Sequence, residues 1–119
     1  LWADNNLLTS LDLSLNTELR YIDCNANQLT SLDVRNGNNS HIMDQFFTIG
    51  NLNLYCIDVD DLAFMQSQWG ASVDPWTNFS SNCVAALGCM DSLACNYDSL
   101  ATIDDSSCVY STTSTFMDF

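Results

Sequence analysis

Apolar side chains recur along the first third of the chain at a constant distance of 21 residues. The segment LLTSLDL, residues 7–13, matches QLTSLDV, residues 28–34, at almost every position. The pairs that share this offset are Leu1 and Ile22, Ala3 and Cys24, Asn6 and Asn27, Leu8 and Leu29, Leu11 and Leu32, and Leu13 and Val34. A period of this length predicts consecutive coils, because one such unit cannot bury its apolar face without a neighbour.

The second unit matches the leucine-rich-repeat pattern. It reads Leu19-x-x-Ile22-x-Cys24-x-x-Asn27-x-Leu29. Ile22 and Cys24 alternate on a short strand, so both are predicted to point into the core. Asn27 lies where the chain turns, and its amide is expected to bond the backbone of neighbouring coils. The predicted fold is therefore a β-rich (α/β-type) leucine-rich-repeat solenoid.

A third coil is irregular, and a short helix follows it. Leu54, Ile57 and Val59 repeat the apolar positions of the second coil at an offset of 25, which places four extra residues within 37–53. Residues 60–69 then read as a helix with Asp60 or Asp61 as its N-cap and Gly70 after its end. We therefore predict repeat coils over residues 1–59 and a helical C-terminal cap of the solenoid over residues 60–84.

The remaining segments are short and poor in apolar residues. Residues 85–110 form a small module with the cysteine spacing C-x5-C-x12-C. This module has too few apolar residues to support a core of its own, so disulfides or bound ions are expected to hold it. Residues 111–119 are predicted to be a linker or a truncated end.

The six cysteines favour disulfide bonds over metal sites. No pair has the C-x-x-C spacing of a zinc ribbon, and five of the six follow residue 55. This clustering indicates an oxidising compartment. Cys56 and Cys83 would bracket the cap as one disulfide, while Cys24 occupies a core position and is predicted to stay reduced. Two of the three tail cysteines are expected to pair, and the pattern leaves open which two: Cys89, Cys95 and Cys108.

The charge of the chain is one-sided. The chain has fifteen Asp and Glu residues but only two Lys and Arg residues, which gives a formal net charge of −13. Such a chain repels phosphate backbones and anionic lipids, so we expect no nucleic-acid partner. No apolar run approaches the roughly 18 residues of a membrane span, so we expect no membrane insertion.

Two groups of residues are candidates for binding. Oxygen-bearing side chains in the tail would suit a calcium ion, which is the only cofactor that the sequence suggests. Alternatively, these side chains cap turns. These residues are Asp91, Asn96, Asp98, Asp104 and Asp105. The strand positions that point away from the core would form a concave ligand-binding face that suits a carbohydrate or a protein loop. They are Trp2, Asp4, Tyr21, Asp23 and Asn25. Alternatively, Trp2 packs on a preceding coil.

Catalysis is not expected. His41 lies near Ser40 and Asp44, but no nucleophile elbow of the type G-x-S-x-G is present in the sequence. We therefore predict that the chain is not an enzyme.

These segments resemble a known family. NQLTSLDV with its 21-residue period, NLYCIDVDDLAF followed by W and FSSNC, and GCMDSLACNYDSLATIDDSSCVY are similar to secreted leucine-rich-repeat surface proteins of marine Bacteroidetes. The last segment resembles their G-C-x-D-x-x-A-C-N-Y…D-D-G-S-C module. Ser106 stands where that module usually has Gly, which is a departure from its pattern. The resemblance implies export to the cell surface or the medium.

The functional expectation is a non-catalytic extracellular binding or adhesion module of a secreted or cell-surface bacterial protein. Its partner would be a cell-surface protein or carbohydrate, or other copies of the chain. One alternative is a structural spacer or a self-assembling filament or surface-layer subunit. Another is an accessory region of a secreted hydrolase. Because the sequence begins inside a repeat, we interpret it as the closing end of a longer protein.

Overall fold

The computed structural model describes residues 1–110, and the predicted linker or truncated end at 111–119 lies outside the described residues. The chain divides into two compact units, Leu1–Cys83 and Val84–Phe119. The first unit contains six strands and one helix: β1 Ser10–Asp12, β2 Tyr21–Asp23, β3 Ser31–Asp33, β4 Gln45–Phe47, β5 Cys56–Asp58, α1 Leu62–Trp69 and β6 Asn78–Ser80. A single 3₁₀ turn, Asn39–His41, precedes β4. The remaining elements are α2 Cys83–Ala86, β7 Leu87–Gly88 and β8 Ile103–Asp104.

All strand pairs of the first unit are parallel, and the strands β1 to β5 alternate between two sheets. One sheet has the order β1-β3-β5-β6, and the other pairs β2 with β4. Leu11 is in register with Leu32, Leu32 with Ile57, and Ile57 with Phe79. This row of central strand residues points inward, because side chains alternate between the two faces of a strand.

The core of the first unit lies between these two sheets. Ile22 and Cys24 are fully buried, which confirms the predicted inward positions on the second strand. The other apolar positions predicted to fill the interior are also buried: Leu29, Leu32, Val34, Leu54, Ile57 and Val59. The irregular segment adds Ile42 and Phe46, and α1 adds Met65 and Trp69.

The predicted leucine-rich-repeat solenoid with a helical cap is wrong. The described residues form compact units with short parallel strands and few helices, and no solenoid is evident among them. The strands have only two or three residues and belong to three separate sheets. Their register offsets are also unequal, at 21 residues for β1 and β3, 24 for β2 and β4, 25 for β3 and β5, and 22 for β5 and β6. The 21-residue repeat therefore persists too briefly to build an array of equal coils.

The helix α1 belongs to the same compact unit as the strands before it. Its N-cap is Asp61, whose carboxylate accepts a hydrogen bond from the backbone N–H of Phe64 at 3.1 Å. The helix ends at Trp69, followed by Gly70, as the sequence predicts. The Trp69 indole N–H donates to the carbonyl oxygen of Ile42 at 2.9 Å, so the ring is fixed in the core by a polar contact as well as by packing.

Asn27 is buried and bonds backbone groups of two neighbouring chain segments. Its amide group donates to the carbonyl oxygens of Cys24 at 3.0 Å and Ala3 at 2.8 Å. Its amide oxygen accepts the backbone N–H of Leu8 at 3.1 Å. This contact between segments confirms the role predicted for Asn27 from its place at the turn.

Asn51 repeats this arrangement on the next segment and is fully buried. Its amide group donates to the carbonyl oxygens of Thr48 at 2.8 Å and Cys24 at 3.0 Å. Its oxygen accepts the N–H of Leu29 at 3.1 Å. The buried Asp74 carboxylate then accepts the N–H of Asn51 at 3.2 Å. Each of these bonds provides a hydrogen-bond partner for a polar backbone group that is buried away from water.

Each unit contains one disulfide. Cys56 pairs with Cys83, as predicted from the sequence. Cys89 pairs with Cys108, so Cys95 is the tail cysteine that stays free, and its side chain is exposed. Cys24 is free and buried, as predicted. Burial raises the pKa of the Cys24 thiol to about 12, with the nearby Asp23 carboxylate adding to the shift, so the group stays protonated and unreactive at neutral pH.

The second unit is held mainly by its disulfide and by short polar contacts. Its strands β7 and β8 pair over only two residues. The Asn96 side chain donates to the carbonyl of Ser107 and accepts the N–H of Val109, both at 2.7 Å. Ser106 has a φ of +63°, a left-handed conformation that favours glycine.

Replacing Asn51 with Ala tests the role of the buried amides. The change leaves the N–H of Leu29 and the carbonyl oxygen of Thr48 without this partner, whereas the carbonyl of Cys24 keeps its bond from Asn27. Unfolding should therefore become easier by about 3 kcal/mol. Urea unfolding measures this difference. The matched control is Asn53→Ala at an exposed position, which should change stability by less than about 0.5 kcal/mol. Equal effects of the two substitutions would contradict the assignment.

Candidate binding face

The first residues of the chain extend the β2–β4 sheet. Trp2 forms a parallel bridge with Asp23. The backbone N–H of Asp23 donates to the carbonyl of Leu1 at 2.9 Å, and that of Ala3 donates to the carbonyl of Asp23 at 2.7 Å. Three adjacent segments therefore run in parallel, and every second side chain projects on the side opposite the core.

The side chains on that outer side form what we call the aromatic face. It consists of Trp2, Asp4, Tyr21, Asp23, Asn25, Gln45 and Phe47. The structure thus brings together on one surface all five residues proposed from the sequence for ligand binding. Ile22, Cys24 and Phe46, which alternate with members of the face, are buried.

Two aromatic rings of this face contact each other. The Trp2 and Tyr21 ring centroids are 5.5 Å apart, and the ring planes are tilted by 36°. The Gln45 amide group donates to the Tyr21 hydroxyl at 3.1 Å and fixes the position of that ring. Trp2 is nevertheless 78% exposed, so most of the indole contacts solvent. An exposed, positioned indole of this kind is the side chain that most often dominates binding interfaces.

Carboxylate and amide groups surround the rings. The Asp23 carboxylate accepts the N–H of Asn25 at 3.2 Å, and the Asn25 oxygen accepts the N–H of Ile49 at 2.7 Å. The Asp4 carboxylate accepts from the Asn5 amide at 2.9 Å. These contacts fix the polar groups around the rings and present a partner with both hydrogen-bond acceptors and flat apolar surface.

Gln45 and Phe47 were missed by the sequence reasoning. They lie on β4, which pairs with β2 at an offset of 24 rather than 21, so the 21-residue repeat does not align them with Tyr21 and Asp23. The segment QFFT, residues 45–48, does not alternate apolar with polar side chains, so the sequence carried no clear signal for this pairing. Only the structure shows that Phe46 and Thr48 are buried while Gln45 and Phe47 are partly exposed.

The tail residues proposed for calcium mostly cap turns. Four carboxylates each accept a backbone N–H two residues ahead, at 2.9 to 3.2 Å: Asp91, Asp98, Asp104 and Asp105. Asn96 bonds the backbone near Cys108 instead. Within residues 1–110, no group of three or more His, Cys, Asp or Glu side chains is arranged to hold a metal ion. Calcium binding by these residues stays a prediction.

Asp91 has a second partner. The Tyr110 hydroxyl donates to its carboxylate at 2.5 Å. This bond lowers the pKa of Asp91, with the N–H of Leu93 contributing, and it raises the pKa of Tyr110. The pair links the start of the module to its end, which is a structural role in a unit with little core.

A row of carboxylates crosses the other sheet. Asp12, Asp33 and Asp58 are in register on β1, β3 and β5. Arg35 lies over this row, with its guanidinium 2.9 Å from Asp33 and 3.8 Å from Asp58. The hydrogen bond from Arg35 lowers the pKa of Asp33. Like charges directly opposite on adjacent strands repel, so the positive charge of Arg35 offsets the repulsion among these carboxylates.

A shallow depression of about 390 Å³ lies elsewhere on the first unit. Its lining consists of small polar residues, one glycine and one leucine: Thr9, Asn27, Gln28, Thr30, Gly50, Leu52 and Asn53. No titratable side chain lines this depression, and the Asn27 amide group already donates a hydrogen bond to a backbone carbonyl. The aromatic face is the stronger candidate for binding.

No protein-family model matches the chain, and no curated protein and no solved structure is similar to it. Among the described residues, no helix is long and apolar enough to cross a membrane.

Substituting Arg35 with Gln tests the carboxylate row. Because the pKa of Asp33 is lowered in the folded state, its pairing stabilises the fold above the ordinary carboxyl pKa of 3.8 and is lost as the pH falls through the lowered value. The substitution should therefore reduce the free energy of unfolding by about 1 kcal/mol at pH 7. The difference from the wild type should shrink at a pH well below the ordinary carboxyl pKa of 3.8.

Urea unfolding at both pH values measures this effect. Arg20→Gln is the matched control, because Arg20 pairs with Asp44 at a site where both side chains are 54% exposed. Its effect should be smaller and only weakly dependent on pH. A pH-independent loss for Arg35→Gln would show that packing, and not charge, is the contribution of this residue.

Proposed function

We propose that this chain is a non-catalytic extracellular binding module that takes a protein or carbohydrate ligand on the aromatic face. The observation that carries the proposal is the indole of Trp2, which is 78% exposed yet held against Tyr21 on an ordered sheet. Such a ring offers a partner a large, preorganised contact area at little entropic cost.

The polar groups around the rings support a binding role. Asp4, Asp23 and Asn25 place hydrogen-bond acceptors beside flat apolar surface, a combination that suits hydroxyl groups or a polar peptide. Their contacts are with neighbouring amides and backbone groups, not with a nucleophile or base. These contacts favour recognition over catalysis.

The cysteine chemistry supports an extracellular location. The disulfides Cys56–Cys83 and Cys89–Cys108 form and persist in oxidising compartments. In the second unit the disulfide links two segments that bury few apolar side chains. A secreted or cell-surface environment would keep both bonds intact.

Trp2→Ala tests the binding role. Ligands are first sought with the wild-type chain on a glycan array and on an array of synthetic peptides. For any ligand found, Trp2→Ala should weaken binding about tenfold or more, since it removes the central contact area. Trp2→Phe should restore part of the affinity. Because Trp2 is mostly exposed, stability in urea should change little.

Leu15→Ala is the control. Leu15 is 92% exposed and is not part of the aromatic face, so this variant should bind as the wild type does. The proposal is overturned if neither array yields a ligand, or if the ligands found bind Trp2→Ala as tightly as the wild type.

A further inference from the structure

The cationic side chains of this protein are engaged internally. Arg20 and Arg35 are its only Lys or Arg residues. Arg20 pairs with Asp44 at 3.1 Å, and Arg35 pairs with Asp33 at 2.9 Å and lies 3.8 Å from Asp58. The formal net charge is −13. The field around the protein therefore attracts cations and repels anions, which raises the encounter rate with basic partners.

The aromatic face carries the same sign of charge. Asp23 is the bridge partner of Trp2, and Asp4 lies two residues after Trp2 on the same side of the segment. The backbone N–H of Asn5 donates to the carbonyl of Asn25 at 2.9 Å, so the pairing includes Asp4 and ends at Asn5, whose φ of +57° leaves the extended conformation. The exposed indole of Trp2 thus has the carboxylates of Asp4 and Asp23 as neighbours on the same face. None of the seven residues of the face is basic.

This combination favours a cation. An ammonium or guanidinium group is attracted to the face of an aromatic ring, and most strongly to that of Trp. Carboxylates beside the ring accept its N–H groups. Arginine suits the site better than lysine, because its planar guanidinium can stack on the indole and donate to a carboxylate at the same time.

We propose that the ligand of the aromatic face is an arginine- or lysine-bearing peptide segment of a partner protein. The inference rests on the proposed function of this face and specifies its ligand. A basic side chain of the partner stacks on the outer side of Trp2 and donates hydrogen bonds to Asp4 and Asp23. Acidic glycans and acidic peptides are rejected by the same charges.

The test uses a labelled dodecapeptide of alternating Gly and Arg, with a counterpart in which citrulline replaces Arg. Citrulline keeps the shape of the side chain but carries no charge. Fluorescence anisotropy should show binding of the Arg peptide and at least about tenfold weaker binding of the citrulline peptide. Raising NaCl from about 0.05 to 0.5 M should weaken the Arg peptide further, because salt screens exposed charges.

Two variants with the same change in net charge distinguish binding by the carboxylates of the aromatic face from attraction by the net negative charge of the protein. Asp4→Asn with Asp23→Asn should weaken the Arg peptide about tenfold, whereas Glu18→Gln with Asp60→Asn should weaken it less than about twofold. Both variants remove two negative charges, and all four substitutions keep nearly the same side-chain shape. Trp2→Ala, which changes no charge, should weaken the Arg peptide as strongly as the first variant.

The outcomes distinguish this inference from the proposed function. If both charge variants lose equal affinity, or if Trp2→Ala binds the Arg peptide normally, the inference is overturned. It is also overturned if a neutral oligosaccharide such as maltohexaose binds in a Trp2-dependent manner and the Arg peptide does not, although the binding role of the face then stands. If no glycan or peptide shows Trp2-dependent binding, both proposals fail.

Discussion

The buried side chains of Asn27 and Asn51 connect neighbouring chain segments by bonding backbone groups that regular strand pairing leaves without a partner. With strands of only three residues, most turns of the first unit cannot satisfy their backbone groups within a sheet. The two buried amides supply the missing donors and acceptors on adjacent segments, and Asp74 continues the series. Asn39 does the same near α1, because its oxygen accepts the N–H groups of Asp60 and Asp61, both at 3.0 Å. Each amide thus supports both the turn it occupies and the turn beside it.

This polar framework determines where the candidate site lies. Asn27 donates to the carbonyl of Ala3, so it fixes the segment that carries Trp2 and Asp4 beside β2. Asn51 stabilises the turn after β4, the strand that carries Gln45 and Phe47. The aromatic face therefore rests on buried amides rather than on long strands. Its exposed indole is an apolar surface that the core does not use, which agrees with a role in binding.

Local chemistry was predictable from the sequence, and the global arrangement was not. The inward positions at Ile22 and Cys24 and the Cys56–Cys83 disulfide follow from alternation and spacing, which act over short distances. Capping preferences placed the N-cap at Asp60 or Asp61, and the structure has it at Asp61. The offset of 25 between β3 and β5 agrees with the sequence pattern, but the solenoid was wrong because these short strands pair at unequal offsets and belong to separate sheets. The pairing of β4 with β2 depends on how the inserted residues are accommodated in three dimensions. The choice of Cys108 as the partner of Cys89 depends on the path of the tail.

Hydrogen exchange at the backbone N–H groups of Leu8 and Leu29 reports on the buried amides, because each donates to a buried asparagine oxygen rather than to a regular strand or helix partner. If the buried amides hold the first unit together, these two groups exchange as slowly as the strand amides of Ile57 and Leu32, by unfolding of the whole unit. Exchange of Leu8 and Leu29 at the rate of exposed loop amides, with the strands still protected, would show that the buried amides do not hold the first unit together.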